Sequence, residues 1–399
     1  MAKNSNVTKM GIALAIVCFA SNISQLPIFV NLGLSSMLAM ATWALFIIYC
    51  IGHNIKWKIG SKLLPILFVA ILYFIFLCLM EVFTNKAYLA SSIIYPFFLS
   101  VFILVVAYNV GDFLNGKNDI QLIATAYIAG AILVGGNIFF EYLVNADIAD
   151  RVYAYDSKNS VAQILLTAFL LLLFYKISNK KIFHKIVSLS LSAFLLITVL
   201  LLKSRATIIV IPFLAVFALL LGNQVNKRIR WGIIGLIVAV IVYLILSPNI
   251  YDILINDILL GGRESGSLDD ISSGRWSEWT NFFADLGDGW FFGNGAIKRE
   301  SLILSSILSV GIPMGLCIIF VAITPFIYSL ANVKCGNKEM RLLFFIAFCY
   351  FVNAIFEQQA PFGPGVKCYF LWLIFGIVLA KQNKATSIES LGRRGMILQ

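Results

Sequence analysis

The stretch KLLPILFVAILYFIFLCLMEVF, residues 62–83, holds eighteen uncharged residues between Lys62 and Glu81. A helix crosses a bilayer core with about 20 predominantly apolar residues. Backbone N–H and C=O groups in hydrocarbon must be satisfied within the membrane, which a single helix does for itself and an isolated strand does not. The run therefore predicts a transmembrane helix, and the chain repeats the pattern on both sides of it.

Twelve such spans are expected, at residues 10–26, 28–52, 62–83, 89–111, 120–144, 161–177, 185–202, 206–221, 231–248, 302–330, 342–358 and 366–380. The first, behind Lys3 and Lys9, has the look of a signal peptide, but no small-residue cleavage site follows it, and it is read as a retained helix. The whole composition agrees. Of 399 residues, 60% are apolar and 12% charged, and mean hydropathy is +0.93, whereas water-soluble domains carry about 25% charged residues. A soluble enzyme is excluded, and unbroken apolar runs exclude the weak alternation of an outer-membrane barrel. The expected fold class is an all-α polytopic membrane protein of about twelve transmembrane helices.

Net charge is +11, and its distribution gives the orientation. With the N-terminus in the cytoplasm, the inner segments collect 20 of the 30 Lys and Arg but only 4 of the 19 acids. Cytoplasmic loops carry the excess of Lys and Arg, so both termini are expected inside, with residues 381–399 as a cytoplasmic tail. Topology accounts for the basic charge, and no nucleic-acid partner is implied. The seven cysteines form no CxxC pair, and neither a zinc site nor a disulfide framework is expected. His53 and His184 fall in inner segments and read as helix-end residues.

Only one connection is long. Residues 249–301, on the outer (periplasmic) face, separate the first nine spans (1–248) from the last three (302–380). The segment holds Trp276, Trp279, Phe282, Phe283, Trp290, Phe291 and Phe292, too many aromatics for a solvated tether, and is expected to fold as a cap. From Ser273 onward, Trp276, Trp279, Phe283 and Leu286 recur at near-helical spacing behind Ser272 or Ser273 as N-cap. They predict one amphipathic helix lying at the membrane surface, either as an interfacial anchor or as an aromatic platform for sugar rings. Asp269 and Asp270, in a Gly/Ser-rich stretch, read as solvated loop, and GDGWFFGNG (287–295) as the turn back to the next span.

Several segments in order resemble a known family. These are the tripeptide Ser204–Ala206 at an outer helix start, DSKNSVAQILL (156–166), the SGRWxxW segment of Ser273, Gly274, Arg275, Trp276 and Trp279, then Gly293, Gly295 and GIPMGL (311–316). The set resembles the O-antigen polymerase and O-antigen ligase superfamily of bacterial envelope glycosyltransferases. The resemblance spans roughly residues 150–320 and includes the twelve-span layout. It implies glycan transfer from a polyprenyl diphosphate carrier to an acceptor hydroxyl at the periplasmic face of the inner membrane, without a nucleotide sugar; the outer face offers no DxD-type acidic pair for Mg²⁺, so transfer without metal or other cofactor is expected. Donor and acceptor lipid-linked oligosaccharides, membrane lipids and a chain-length regulator are the implied partners. The family's outer-loop histidine position holds Glu300 and Ser301 here, a departure that favours a repeat-unit polymerase over a ligase acting on lipid A core.

Such a reaction needs cations for the diphosphate. Arginine's planar fork binds phosphate oxygens bidentately and stays charged, and Arg205 and Arg275 occupy positions where the resemblance places an arginine. Their bland alternatives are snorkelling for Arg205 and an i,i+3 pair with Glu278 for Arg275. Lys203, Arg151 and Arg299 are supporting substrate-binding candidates, with Trp276 and Trp279 for the glycan. Glu300 is the candidate general base if burial raises its pKa, or else a simple partner of Arg299 or Lys298. Glu357, in FEQQAPFGPG, ranks behind it. A lipid-linked oligosaccharide flippase is the reading from another class, but it requires no folded aromatic cap, and no internal repeat is visible.

Overall fold

A computed structural model describes residues 7–114, 116–145, 158–175, 182–221, 269, 272, 274–334, 337–363 and 369–397, together with single positions between 231 and 246. Among them there is no strand; the elements are helices. In order they are α1 (Lys9–Ile23), α2 (Pro27–Asn31), α3 (Ser35–Gly52), α4 (Leu64–Phe83), α5 (Ile94–Gly111), α6 (Gly116–Asn145), α7 (Lys158–Tyr175), α8 (Ile182–Leu201), α9 (Arg205–Leu221), α10 (Arg275–Thr280), α11 (Phe282–Leu286), α12 (Leu302–Asn332), α13 (Lys338–Phe356) and α14 (Tyr369–Ile397). Eight of these, α3 to α8, α12 and α13, are long and apolar enough to cross a membrane. Apolar α1 and α9 are shorter. The chain is thus a polytopic helical membrane protein. Of the ninth expected span, 231–248, only Trp231, Gly235, Val238, Val242 and Leu246 are described, each helical, and the start of the long loop, 249–268, lies outside the described residues.

Long-range contacts sort the helix ends into two groups. At one end, the Thr8 backbone N–H and hydroxyl donate to the Asp119 carboxylate at 2.9 and 2.7 Å, joining the starts of α1 and α6. Tyr108 near the end of α5 accepts from Asn383 in α14 at 2.6 Å, and the Lys338 ammonium at the start of α13 lies over the Tyr175 ring at the end of α7. At the other end, the Tyr142 hydroxyl of α6 donates to the Leu201 carbonyl closing α8 at 2.8 Å, and Lys86 after α4 reaches the cap. The described start of the chain and the polar half of α14 therefore share one end, and the cap sits on the other.

Small residues let the central helices touch. A Cβ on Gly376 of α14 would lie 2.6 Å from that of Ala107 in α5, and one on Gly111 would lie 2.8 Å from that of Ala380. Close backbone approach is what associates helices in lipid, where apolar burial alone gives little. The opposite situation holds for α4, whose Phe68, Ile71, Phe74 and Val82 are exposed and face where the bilayer would be.

Three expectations change. Span 28–52 is not continuous: α2 stops at Asn31, and Gly33, at φ 68°, turns the chain before α3. Apolar composition records transfer to lipid, not the turn that glycine permits. Span 302–330 is interrupted at Gly311 (φ 81°, ψ 169°), so that α12 begins with a separate two-turn piece. Leu304 and Leu308 on that piece pack with Leu286, Phe282 and Ile297 as the small core of the cap. Residues 381–397, expected as a tail, continue α14 as helix.

Candidate functional site

The cap is built on the break in α12. Pro313 has no N–H to give the Ser309 carbonyl, and the non-helical Gly311 removes the helical partner of the Leu308 carbonyl. Both orphaned acceptors are taken by the cap: the Asn294 N–H donates to Leu308 at 2.8 Å and the Gly295 N–H to Ser309 at 3.1 Å. Lys86 Nζ donates to the Gly293 carbonyl at 2.9 Å, and the Tyr88 hydroxyl to that of Phe292 at 3.0 Å. Gly293 thus lies against the main chain of Ser309 and Val310, and Gly311 against that of Phe291 and Phe292.

The single amphipathic helix expected from Ser273 is two short ones. α10 ends at Thr280; Asn281 behind it, with φ −87° and ψ 0°, leaves the helical region, and α11 restarts at once. The N-cap is Gly274, not Ser272 or Ser273, but the Ser272 hydroxyl two residues earlier accepts from the Trp276 N–H at 2.9 Å. Asp269 caps beside it, accepting from the Ser277 N–H at 2.9 Å and, through its carbonyl, from the Gly274 N–H at 2.8 Å. The reading of Asp269 as solvated loop is therefore wrong; an acceptor next to the positive end of a helix is where an aspartate stabilises most.

This cap presents Arg275 to the bundle. One guanidinium nitrogen, Nη2, lies 3.2 Å from Glu300 Oε2 and 3.4 Å from Glu357 Oε1. Glu278 instead accepts the Glu300 backbone N–H at 3.0 Å, so the i,i+3 pair is not formed. Arg275 Nε is buried and has no acceptor among the described residues. Glu357 follows the last turn of α13, and the Asn159 side chain at the start of α7 donates to its Oε1. Burial pushes the Glu357 carboxyl up to about 7; Arg275 opposes this, Glu300 adds to it, and Asn159 and Lys158 oppose it weakly. One arginine thus holds two carboxylates, the more enclosed of which is poised to exchange a proton near neutrality. Neighbouring Gln358 ties the same turn to α12 through Ser305, at 2.7 Å.

The other sequence candidates fall around this cluster. Arg299 pairs with Asp285 at 2.7 Å and not with Glu300, which faces Arg275. Arg205 opens α9 at the end of the bundle that bears the cap. Lys203, just before it, is 4% exposed and held at φ 51°, in a backbone region that non-glycine residues seldom adopt. Trp276 and Trp279 are 53% and 42% exposed. Arg151 lies outside the described residues. Asn159 and Lys158, not among the sequence candidates, stand beside Glu357, and both belong to the quoted segment 156–166. Glu357, placed behind Glu300 in the sequence reading, is the more enclosed of the two carboxylates and sits beside Asn159 of α7 and Arg275 of the cap, both distant from it in sequence. Neither a scan of protein-family models nor a search of curated proteins finds a match to this chain.

Proposed function

We propose that the protein polymerises polyprenyl-diphosphate-linked oligosaccharide repeat units into a surface polysaccharide. It would act as a twelve-span enzyme of the bacterial inner membrane, with the cap in the periplasm and both termini in the cytoplasm. The observation that carries the reading is Arg275, suspended from the cap between Glu300 and Glu357 with an unused Nε. Arg205 at the same end of the bundle and the aromatic surface of the cap support it.

In this reading the donor diphosphate enters between Arg275 and Arg205, with Lys203 and Arg299 adding positive charge around it. The acceptor hydroxyl oxygen attacks the anomeric carbon as the carbon–oxygen bond to the diphosphate breaks. The hydroxyl proton passes to ionised Glu357, and the electron pair of the broken bond leaves on the diphosphate, where the arginines stabilise it. A diphosphate is a weak base, so its departure requires no general acid. Glu300 holds Arg275 in place from the solvent side, and Trp276 and Trp279 offer faces for the glycan.

The test is glycan laddering in a strain lacking the gene, complemented by wild type, Arg205→Ala, Arg275→Ala or Glu357→Gln, with membrane abundance measured for each. Normally expressed variants that leave one repeat unit where wild type gives a ladder support polymerisation. A fully polymerised glycan stranded on its lipid carrier would assign the protein to ligation. Unchanged ladders would remove these residues from the chemistry.

A further inference from the structure

At the end of the bundle away from the cap, a cavity of about 870 Å³ lies among α7, α8, α9 and α13. Its walls are apolar, with Phe169, Leu173, Leu196, Leu214, Ala218 and Phe345 among them. The polar lining residues are Asn337, Lys338 and Arg341, all at the start of α13. Asn337 is already engaged, accepting from the Met340 N–H at 3.0 Å as the cap of that helix. Two cations therefore stand over an apolar slot.

No carboxylate among the described residues neutralises them at ion-pair distance; Glu339 between them pairs with Lys381 at 3.8 Å. Lys338 rests on the Tyr175 ring, 4.7 Å from its centroid; Lys117 is near enough to repel it, and Glu339 attracts it without forming an ion pair. The slot adjoins α8, whose Ile186, Leu189 and Ile197 are exposed toward the expected bilayer, and Leu173 on its own wall is exposed as well. At a share of about 30 Å³ per water-sized group, the cavity holds roughly thirty methylenes, the content of two acyl chains.

We propose that this cavity binds one anionic phospholipid from the leaflet opposite the cap, with its acyl chains between α7 and α9 and its phosphate on Lys338 and Arg341. Basic pockets between transmembrane helices recognise acidic headgroups by the same attraction. The occupant bears on the spacing of α7 and α9, whose far ends carry Asn159 and Arg205. The inference is independent of the glycan chemistry.

The full-length protein would be incubated in detergent with equimolar phosphatidylglycerol and phosphatidylcholine of identical chains and read by native mass spectrometry. One phosphatidylglycerol should be retained preferentially, by about fivefold for each cation engaged. Lys338→Gln with Arg341→Gln should abolish the preference, Arg341→Lys should keep it, and Ala215→Trp, which fills the slot, should lose both lipids; thermal melts check that each variant folds. Four outcomes would overturn the proposal: equal retention of the two lipids, retention unaffected by the slot-filling variant, a lipid-free dimer, or displacement of phosphatidylglycerol by inorganic phosphate or by a polyprenyl phosphate.

Discussion

Gly311 is where the cap and the membrane helices are most tightly bound to each other's geometry, and replacing it with alanine should release the cap. At φ 81° and ψ 169° the residue occupies backbone space that is essentially reserved for glycine, costing other residues about 1–3 kcal/mol. A Cβ there would also overlap the Phe291 carbonyl and come within 2.9 Å of the Phe292 nitrogen. Both obstacles are main chain and have no rotamer to escape into. The cap must lift, and lifting it breaks the bonds from Asn294 to Leu308 and from Gly295 to Ser309, each worth roughly 0.5–1.5 kcal/mol.

The two costs together are about 2–6 kcal/mol, which raises the opening equilibrium of the cap by about 30-fold to 10⁴-fold. Hydrogen exchange on peptides covering residues 285–298 reads that equilibrium directly. Gly136→Ala in α6 is the comparison, since a Cβ there would meet nothing within 4 Å; it should leave the cap untouched and change helix stability by no more than ~1 kcal/mol. Wild-type protection of the cap in a correctly folded Gly311→Ala protein would refute the account of how the cap is seated.

Three further substitutions probe other joints. Lys86→Met removes the bonds to the Gly293 carbonyl and to Asn294; exchange in the cap should quicken by an amount equivalent to about 1–3 kcal/mol, with α5 and α14 unaffected. Asp119→Ala leaves the Thr8 N–H and hydroxyl unpartnered by that carboxylate, and the thermal midpoint in detergent should fall as expected for a loss of about 1.5–3 kcal/mol. Glu357→Gln should lower the transfer rate by about 10²–10⁴-fold and abolish a pH limb. With its pKa raised from 4.5 to about 7, wild-type Glu357 is protonated below that value and ionised above it, so under the proposed mechanism the rate should rise with pH through about 7. Stability runs the other way: the folded state holds this proton more tightly than the unfolded chain, so the group's contribution is complete below pH 4.5 and is lost as pH rises through about 7. Glutamine should flatten that slope in a pH series of melts.

The membrane helices were legible because length and apolarity are properties of a contiguous run. Span 62–83 and helix Leu64–Phe83 differ by two residues at one end. What escaped was backbone geometry inside such runs, as at Gly33 and Gly311, where hydropathy stays high while the chain turns. For Gly311 a signal existed: Pro313 two residues on declares an orphaned carbonyl, and the glycines at 293 and 295 mark a segment able to approach it. The partnership of Arg275 with Glu300 spans 25 residues and was only half visible, as two candidates in one loop. The placement of Glu357 was not, because its enclosure depends on α7, about 200 residues earlier in the chain. Asp269 was misread for a local reason, since a capping aspartate in a Gly/Ser-rich stretch looks the same as a solvated one until the helix behind it is seen.

Arg275 and Glu357 also set an order of events in the proposed reaction, and that order is measurable. In the free enzyme Arg275 holds the Glu357 pKa below where burial alone would put it. A donor diphosphate that takes the guanidinium withdraws this opposition and adds negative charge of its own, and both changes raise the proton affinity of Glu357. The base is therefore strengthened when a donor is in place to react. The pH dependence of kcat/KM reports the free enzyme and that of kcat the loaded one, so the kcat limb should lie at higher pH than the kcat/KM limb near 7. Arg275→Ala should move the kcat/KM limb upward and narrow the gap. Coincident limbs in wild type would mean that Arg275 stays on Glu357 throughout turnover and that the diphosphate is bound by other cations.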